Sequence, residues 1–241
     1  MLISHRHRFI YTKTVKTAGT SVEIYFEDAC IPPDSDIARG HAIAETVTEA
    51  GVIGFRGVSP GESRWYNHMP ASNIRALAGP EVWDSYFKFC VIRNPFDKLV
   101  SLWWVIISSD ARYPTLVEDF STIRTEFSSW CLLSAANAVD RDKYLIDGQV
   151  AMDYFIRYES LVADLEHVCD RVGFPFRPDR LGRYKSGLRA SARPFVDYYD
   201  APATRAVQSA FGWELEYFGY TGPSDEYSAG TPALPGSLSR E

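Results

Sequence analysis

Arg8 to Phe26 reads RFIYTKTVKTAGTSVEIYF: a short apolar strand, a tight turn of small and hydroxyl residues around one lysine, then a helix. That order sets Lys16, Thr17, Gly19, Thr20 and Ser21 at a helix N-terminus. Backbone N–H groups without helical partners and the positive end of the helix dipole converge there, which favours phosphate or a similar oxyanion. Gly19 lets the backbone come close, and the hydroxyls can add hydrogen bonds. Lys16 brings a mobile positive charge to the place where a leaving group would become negative. The stretch is not a Walker A loop. That pattern needs G-x-x-x-x-G-K-[ST], whereas here the lysine precedes the glycine and follows Thr14 and Val15. A strand, turn and helix of this kind also occur without any ligand, so the rest of the chain has to decide.

The 241 residues suffice for one large α/β domain with a substantial core. Apolar residues make up 46% and charged residues 23%, ordinary for a globular protein. A formal net charge of -6 argues against broad binding to nucleic acid, though a local basic pocket remains compatible with it. Cys30, Cys90, Cys131 and Cys169 are widely spaced with no C-x-x-C pair, which predicts buried thiols rather than a metal site or a disulfide frame. No apolar run reaches the ~18 residues of a transmembrane helix. The N-terminal MLISHRHRFIYTK lacks the apolar core and cleavage site of a signal peptide, so the expected location is cytoplasmic.

Along the chain, Ile31 to Asp36 is a turn-rich break, Glu45 to Ala50 fits a short helix, and Val52 to Phe55 fits a strand. In SRWYNHMPASNIRALAG, Ser63 to Gly79, Pro70 can open a helix whose apolar stripe is Ile74, Leu77 and Ala78, closed by Gly79. His68 stands just before that helix. Phe87 to Trp104, FKFCVIRNPFDKLVSLWW, is the second strong element: a continuously apolar strand to Ile92, then Asn94 as N-cap, Pro95 at N1 and Asp97 in the first turn. Arg93 therefore falls at the carboxyl end of a strand, where open α/β sheets place ligands, with Ser101 about two turns on. The competing assignment is an arginine neutralising Asp97 beside a solvated serine. Residues 113 to 137 read as helix, Val150 to Arg157 as strand, and Leu161 to Val172 as a helix stopped by Gly173. The segment Arg177 to Arg193 is basic and glycine-containing, the composition of an anion-contacting flap in an otherwise acidic protein. Phe195 to Tyr220 is helical again, and residues 222–241 have the Ser, Gly, Pro and Ala bias of a disordered tail. One domain over residues 1–221 is the expectation: a single P-loop-like α/β domain with a central, mostly parallel sheet flanked by helices.

Three separated pieces resemble one family, the PAPS-dependent sulfotransferases of the carbohydrate-sulfotransferase-like branch. Lys16-Thr17-Ala18-Gly19-Thr20-Ser21 resembles its 5′-phosphosulfate loop. Arg93 to Ser101, RNPFDKLVS, resembles its 3′-phosphate motif, and Phe155 to Leu161, FIRYESL, the strand-to-helix segment that follows. The similarity spans roughly residues 8 to 220, with one departure: Val15 stands where the family often has proline.

The resemblance implies PAPS as sulfuryl donor, PAP as product, no metal, and an acceptor hydroxyl, with carbohydrate the first choice. It implies that Lys16, Thr17, Ala18, Gly19, Thr20 and Ser21 hold the phosphosulfate, and that Arg93 and Ser101 hold the 3′-phosphate. Lys185, Ser186, Gly187 and Arg189 would close over the nucleotide. His68, ahead of Pro70-Ala71, would be the general base, with Glu62 and His41 as alternatives. The competing functions are a P-loop kinase using ATP and magnesium, and a non-catalytic glycan-binding module using Trp65, Tyr66, Trp103 and Trp104. The kinase reading suffers from the missing Walker glycine and from Asp153 lying inside its strand rather than at the end.

Overall fold

The computed structural model describes residues 1–37, 44–57, 61–182, 184, 189 and 191–223. They form eight strands: β1 (Leu2–Ser4), β2 (Phe9–Thr12), β3 (Thr46–Thr48), β4 (Gly51–Ile53), β5 (Phe87–Ile92), β6 (Leu145–Ile146), β7 (Gln149–Val150) and β8 (Tyr154–Arg157). The α-helices are α1 (Gly19–Phe26), α2 (Ala71–Ser85), α3 (Pro95–Ile107), α4 (Tyr113–Leu116), α5 (Phe120–Ser134), α6 (Leu161–Val172) and α7 (Ala201–Phe218). The chain separates into two compact units, Met1–Arg93 with Asp140–Lys185, and Asn94–Val139 with Ser186–Glu241.

The first unit holds the six-stranded sheet, in the order β3-β4-β1-β2-β5-β8. Pairs β2–β5 and β5–β8 are parallel, while β1–β2, β1–β4 and β3–β4 are antiparallel. The sheet is therefore mixed, not mostly parallel as the sequence suggested. The cause is local: β1 and β2 are joined by only four residues, a length that permits a hairpin and forbids a parallel crossover. Arg8, at φ 51°, closes that turn.

Alternation along the central strands sends Phe9, Tyr11, Phe89, Val91 and Ile156 to one face. There they pack with Phe26 of α1 and with Leu165 and Val168 of α6. The Phe26 ring lies 5.3 Å from Phe9, 5.4 Å from Phe89 and 5.3 Å from Phe174. On the opposite face, Phe155 meets Tyr144 edge-on at 5.9 Å. Gly173 ends α6 in the left-handed conformation at φ 65°, as its position predicted.

Several sequence-based boundaries shift. Residues 45–50, read as a helix, carry β3 and the turn into β4. Gly79 does interrupt α2, at φ 79°, but Pro80 restarts it through Ser85. The strand read over residues 150–157 is only β8, because Gln149–Val150 pairs instead with Leu145–Ile146 across an Asp147-Gly148 turn with both φ positive.

The second unit is helical. Asn94 accepts from the Phe96 N–H at 3.0 Å and Pro95 opens α3, the cap read from the sequence. The helix predicted over residues 113–137 is divided, and Asp119 caps α5 by accepting from Ser121 and Thr122 N–H. The core is aromatic: Trp103, Trp104, Phe127, Tyr198, Tyr199 and Phe211 are buried. Trp104 Nε1 donates to the Tyr198 hydroxyl at 3.2 Å, and the Tyr199 hydroxyl donates to Phe96 O at 2.8 Å. Trp103 and Trp104 are thus packing residues and offer no stacking face for a sugar. All four cysteines are buried thiols. No helix among the described residues is long and apolar enough to cross a membrane.

Candidate functional site

Parallel pairing brings the carboxyl ends of β2, β5 and β8 to one edge of the sheet. The residues that follow those ends are the Lys13–Ala18 loop, Arg93 and Tyr158. Arg93 stands in the middle. Its Nη1 donates to Lys16 O at 3.0 Å, and its guanidinium stacks on the Tyr158 ring at 4.0 Å from the centroid. An arginine held from both sides keeps its planar fork in one orientation, the arrangement suited to a phosphate.

The loop before α1 is bent without glycine. Lys16 and Ala18 both have φ of 61°, in the left-handed region. Such a conformation costs on the order of 1–3 kcal/mol for each non-glycine residue and survives where surrounding contacts hold it. Five described non-glycine residues have positive φ: Arg8 and Asp147 turn hairpins, and the other three are Lys16, Ala18 and His68. The backbone strain is concentrated on the candidate site.

The loop's anchors are visible. The Thr14 hydroxyl donates to Val91 O, so at the 2.7 Å contact between the two hydroxyls Thr17 must be the donor and Thr14 the acceptor. Thr17 is buried, and its hydroxyl ties the loop inward instead of facing outward. Val15 N–H donates to Asp140 Oδ2 at 2.7 Å, and Asp140 is itself buried. Gly19 begins α1, and a Cβ there would lie 2.9 Å from Lys13 Cγ and 3.3 Å from Thr14 O. Its role is close packing over the lysine stem. Thr20 is half-buried in the first turn, and buried Ser21 accepts from Tyr184 N–H at 3.4 Å.

His68 reaches this loop from elsewhere in the unit. The run Trp65–Asn67 lies beside Phe55, with Phe55 N–H donating to Trp65 O at 2.8 Å and Asn67 N–H donating to Phe55 O at 2.7 Å. His68 then turns at φ 56°, and its Nδ1 lies 3.0 Å from Lys13 O. A carbonyl only accepts, so Nδ1 carries the proton and Nε2 presents a lone pair. Burial, followed by the Lys13 charge, lowers the His68 pKa from 6.5 to about 4. The imidazole is therefore neutral at pH 7, the form that can take a proton.

Beneath the loop lies a buried ion cluster that sequence reasoning missed. Glu23, on α1, receives the Met1 ammonium at 2.8 Å, Lys13 Nζ at 2.6 Å and Arg56 Nε at 3.0 Å. Arg56 Nη2 also meets Glu27 at 2.9 Å. Burial alone would raise the Glu23 carboxyl, but the three cations outweigh it and hold the pKa at about 2.

The other sequence-predicted residues divide. Ser101 is half-buried on α3, in the second unit. Arg189, also in that unit, pairs with Asp97 at 3.6 Å, lies 5.1 Å from the Tyr198 ring centroid and donates to Arg193 O. Glu62 is exposed. Lys185, Ser186, Gly187, His41 and residues 224–241 of the expected tail lie outside the described residues. A cleft of about 830 Å³ opens in the second unit between Phe120, Arg124, Arg193, Asp197 and their neighbours, and none of the predicted site residues lines it. Its Arg124 donates to Tyr199 O at 2.9 Å, and its Asp200 caps α7. Among the described residues, no group of His, Cys, Asp and Glu is arranged to hold a metal ion.

No family model matches the chain, and no solved structure matches it. It is 30% identical over 107 residues to an uncharacterized protein of Archaeoglobus fulgidus, an alignment covering 44% of this chain and 84% of that one. At that identity and coverage the two chains belong to one family.

Proposed function

We propose that this member of the family shared with the archaeal protein is a PAPS-dependent sulfotransferase with a P-loop-like site, moving a sulfuryl group to an acceptor hydroxyl, with carbohydrate as the first acceptor class. One observation carries the reading. A bent loop bearing Lys16, an arginine fixed on that loop's backbone, and a neutral histidine hydrogen-bonded to the same loop converge within one unit. Transfer from a nucleotide with two separate anionic groups calls for two cationic positions and a base, and Lys16, Arg93 and His68 have those chemistries.

In the proposed reaction, His68 Nε2 takes the acceptor's proton as the hydroxyl oxygen attacks sulfur. The new S–O bond forms in line with the breaking bond to the 5′-phosphate, and the electron pair of that bond leaves on the phosphate of PAP. Charge on the departing oxygen is met by Lys16 and by backbone N–H groups at the start of α1. As in phosphoryl transfer, positioning and electrostatics supply most of the rate. Arg93 holds the 3′-phosphate. The buried thiols suit a reducing, cytoplasmic setting.

Two measurements test this. Thermal unfolding with PAP, and separately with ATP and magnesium, should show stabilisation by PAP; a shift only with ATP and magnesium would replace the sulfotransferase reading by the kinase one. Labelled sulfate from PAPS should then appear on a member of an acceptor array, and both Lys16→Ala and His68→Ala should abolish most of it. Near-normal turnover in either variant removes that residue from the mechanism, while PAP binding without any transfer would favour a binding module.

A further inference from the structure

We propose that Lys13 is a positioning residue for the base: its carbonyl orients the His68 ring, and its buried ammonium, tied down by Glu23, excludes a second positive charge beside it. The inference rests on the reading of His68 as the base of the sulfuryl transfer.

Three contacts of one residue support it. Lys13 directly follows β2, so its backbone is fixed by the sheet, and its carbonyl receives His68 Nδ1–H at 3.0 Å. Its aliphatic stem runs under Gly19, at the opening of α1. Its Nζ ends on Glu23 Oε2 at 2.6 Å, one turn further along the same helix, with both side chains almost wholly buried. One residue thus links the His68 ring, through its backbone carbonyl, to the helix that follows the loop, through its side chain. A lysine is an expensive way to fill that space, since an apolar side chain of similar length would pack there without any charge to compensate. The positive charge therefore calls for an explanation other than packing.

Its neighbourhood supplies one. The charged groups acting on His68 are Lys13 and the Met1 ammonium, which disfavour the imidazolium, and Asp140, which favours it. Burial of the ring does most to keep Nε2 unprotonated, the Lys13 ammonium adds to it, and the carbonyl of the same residue selects which nitrogen is bare. One residue thus orients the ring through its carbonyl and adds to the effect of burial through its charge. Glu23 keeps the ammonium in place.

The test is a pH titration of the full-length protein by long-range ¹H–¹⁵N correlation of the histidine rings, with His68 assigned from the spectrum of His68→Gln. In the wild type, His68 should be the Nδ1–H tautomer at neutral pH with a midpoint of about 4. Lys13→Met retains the backbone carbonyl and the stem, and should raise that midpoint toward 6.5, with the acid limb of the kcat–pH profile for sulfate transfer moving up alongside it. Lys13→Gln carries the same expectation and covers the case in which the methionine variant does not fold. An Nε2–H tautomer in the wild type, or a midpoint unmoved when the charge is removed, overturns the proposal. The spectra need no PAPS. A midpoint that shifts as expected in a protein that transfers no sulfate sinks the proposed function and not the control of the ring by Lys13; transfer with an unmoved midpoint sinks only the latter.

Discussion

Replacing Glu23 with glutamine removes one negative charge from a position where three positive ones converge. The Glu23 side chain is fully buried, and its two oxygens take the Met1 ammonium, Lys13 and Arg56 within 3.0 Å. Glutamine keeps one acceptor oxygen but turns an NH2 group toward a cation. Lys13 loses its carboxylate partner, whereas Arg56 keeps Glu27. Breaking a buried ion pair from one side costs about 3–5 kcal/mol, a large share of the roughly 5–15 kcal/mol that holds a folded protein. For a chain of this size each kcal/mol moves Tm by about 2–4 °C, so the variant should melt roughly 6–20 °C lower at neutral pH. The sign of the pH dependence follows from the depressed carboxyl. A folded-state pKa of about 2 against an ordinary 4.5 gives stability that is complete above 4.5 and is lost as the pH falls toward 2. The stability difference between wild type and Glu23→Gln should therefore be constant near neutrality and close in acid. Urea unfolding at a series of pH values measures both. A loss below about 1 kcal/mol, within the range of an exposed pair, or a difference unchanged down to the acid limit, would refute the view that this cluster is a buried, mutually dependent set of charges.

The other predictions concern the loop and its supports. Gly19→Ala gains helix propensity worth up to about 1 kcal/mol, but its Cβ meets a lysine stem anchored at both ends and a backbone oxygen; overpacking of about 1–3 kcal/mol should win, and a raised Tm would contradict that. Tyr158→Ala removes the ring under Arg93, and with a cation–π contribution of about 0.5–2 kcal/mol PAP affinity should fall roughly 2- to 30-fold in calorimetry, while Tyr158→Phe stays close to wild type. Unchanged affinity in the alanine variant would mean that the stacking does not hold Arg93 for its ligand. Ala18→Gly relieves left-handed strain and should raise Tm by about 2–4 °C, the equivalent of ~1 kcal/mol; a fall would show that the conformation at φ 61° carries no strain.

Legibility in the sequence followed the range of the interaction. The strand over Phe87–Ile92, the Asn94 cap, Pro95 at N1 and the Gly173 stop were all readable, because each depends on residues within a few positions. The position of Arg93 after a strand was readable for the same reason. Antiparallel β1 was not, since three residues show no usable period, and the expected parallel sheet proved mixed. The Asp147-Gly148 hairpin has a local signal, but the apolar run VAMDYFIR reads as one strand from Val150 to Arg157 and hides it. Lys13, Glu23 and Asp140 could not be picked out at all. Lys13 meets Glu23 ten positions away, and Asp140 meets Val15 across 125, so only the folded sheet edge brings them together. His68 is a candidate by resemblance alone, and the carbonyl that fixes its tautomer lies 55 residues upstream.

The left-handed turns at Lys16 and Ala18 bear on recognition as well as on stability. Glycine at those positions would leave the loop many shapes in the absence of ligand, and an incoming anion would have to select one and forfeit the remaining entropy. With lysine and alanine there, tethered by Arg93 at the Lys16 carbonyl, the ordering cost is met when the chain folds. Binding of the proposed anion would then be a fit to a preorganised cradle, and its calorimetric signature should carry little of the unfavourable entropy that accompanies loop closure.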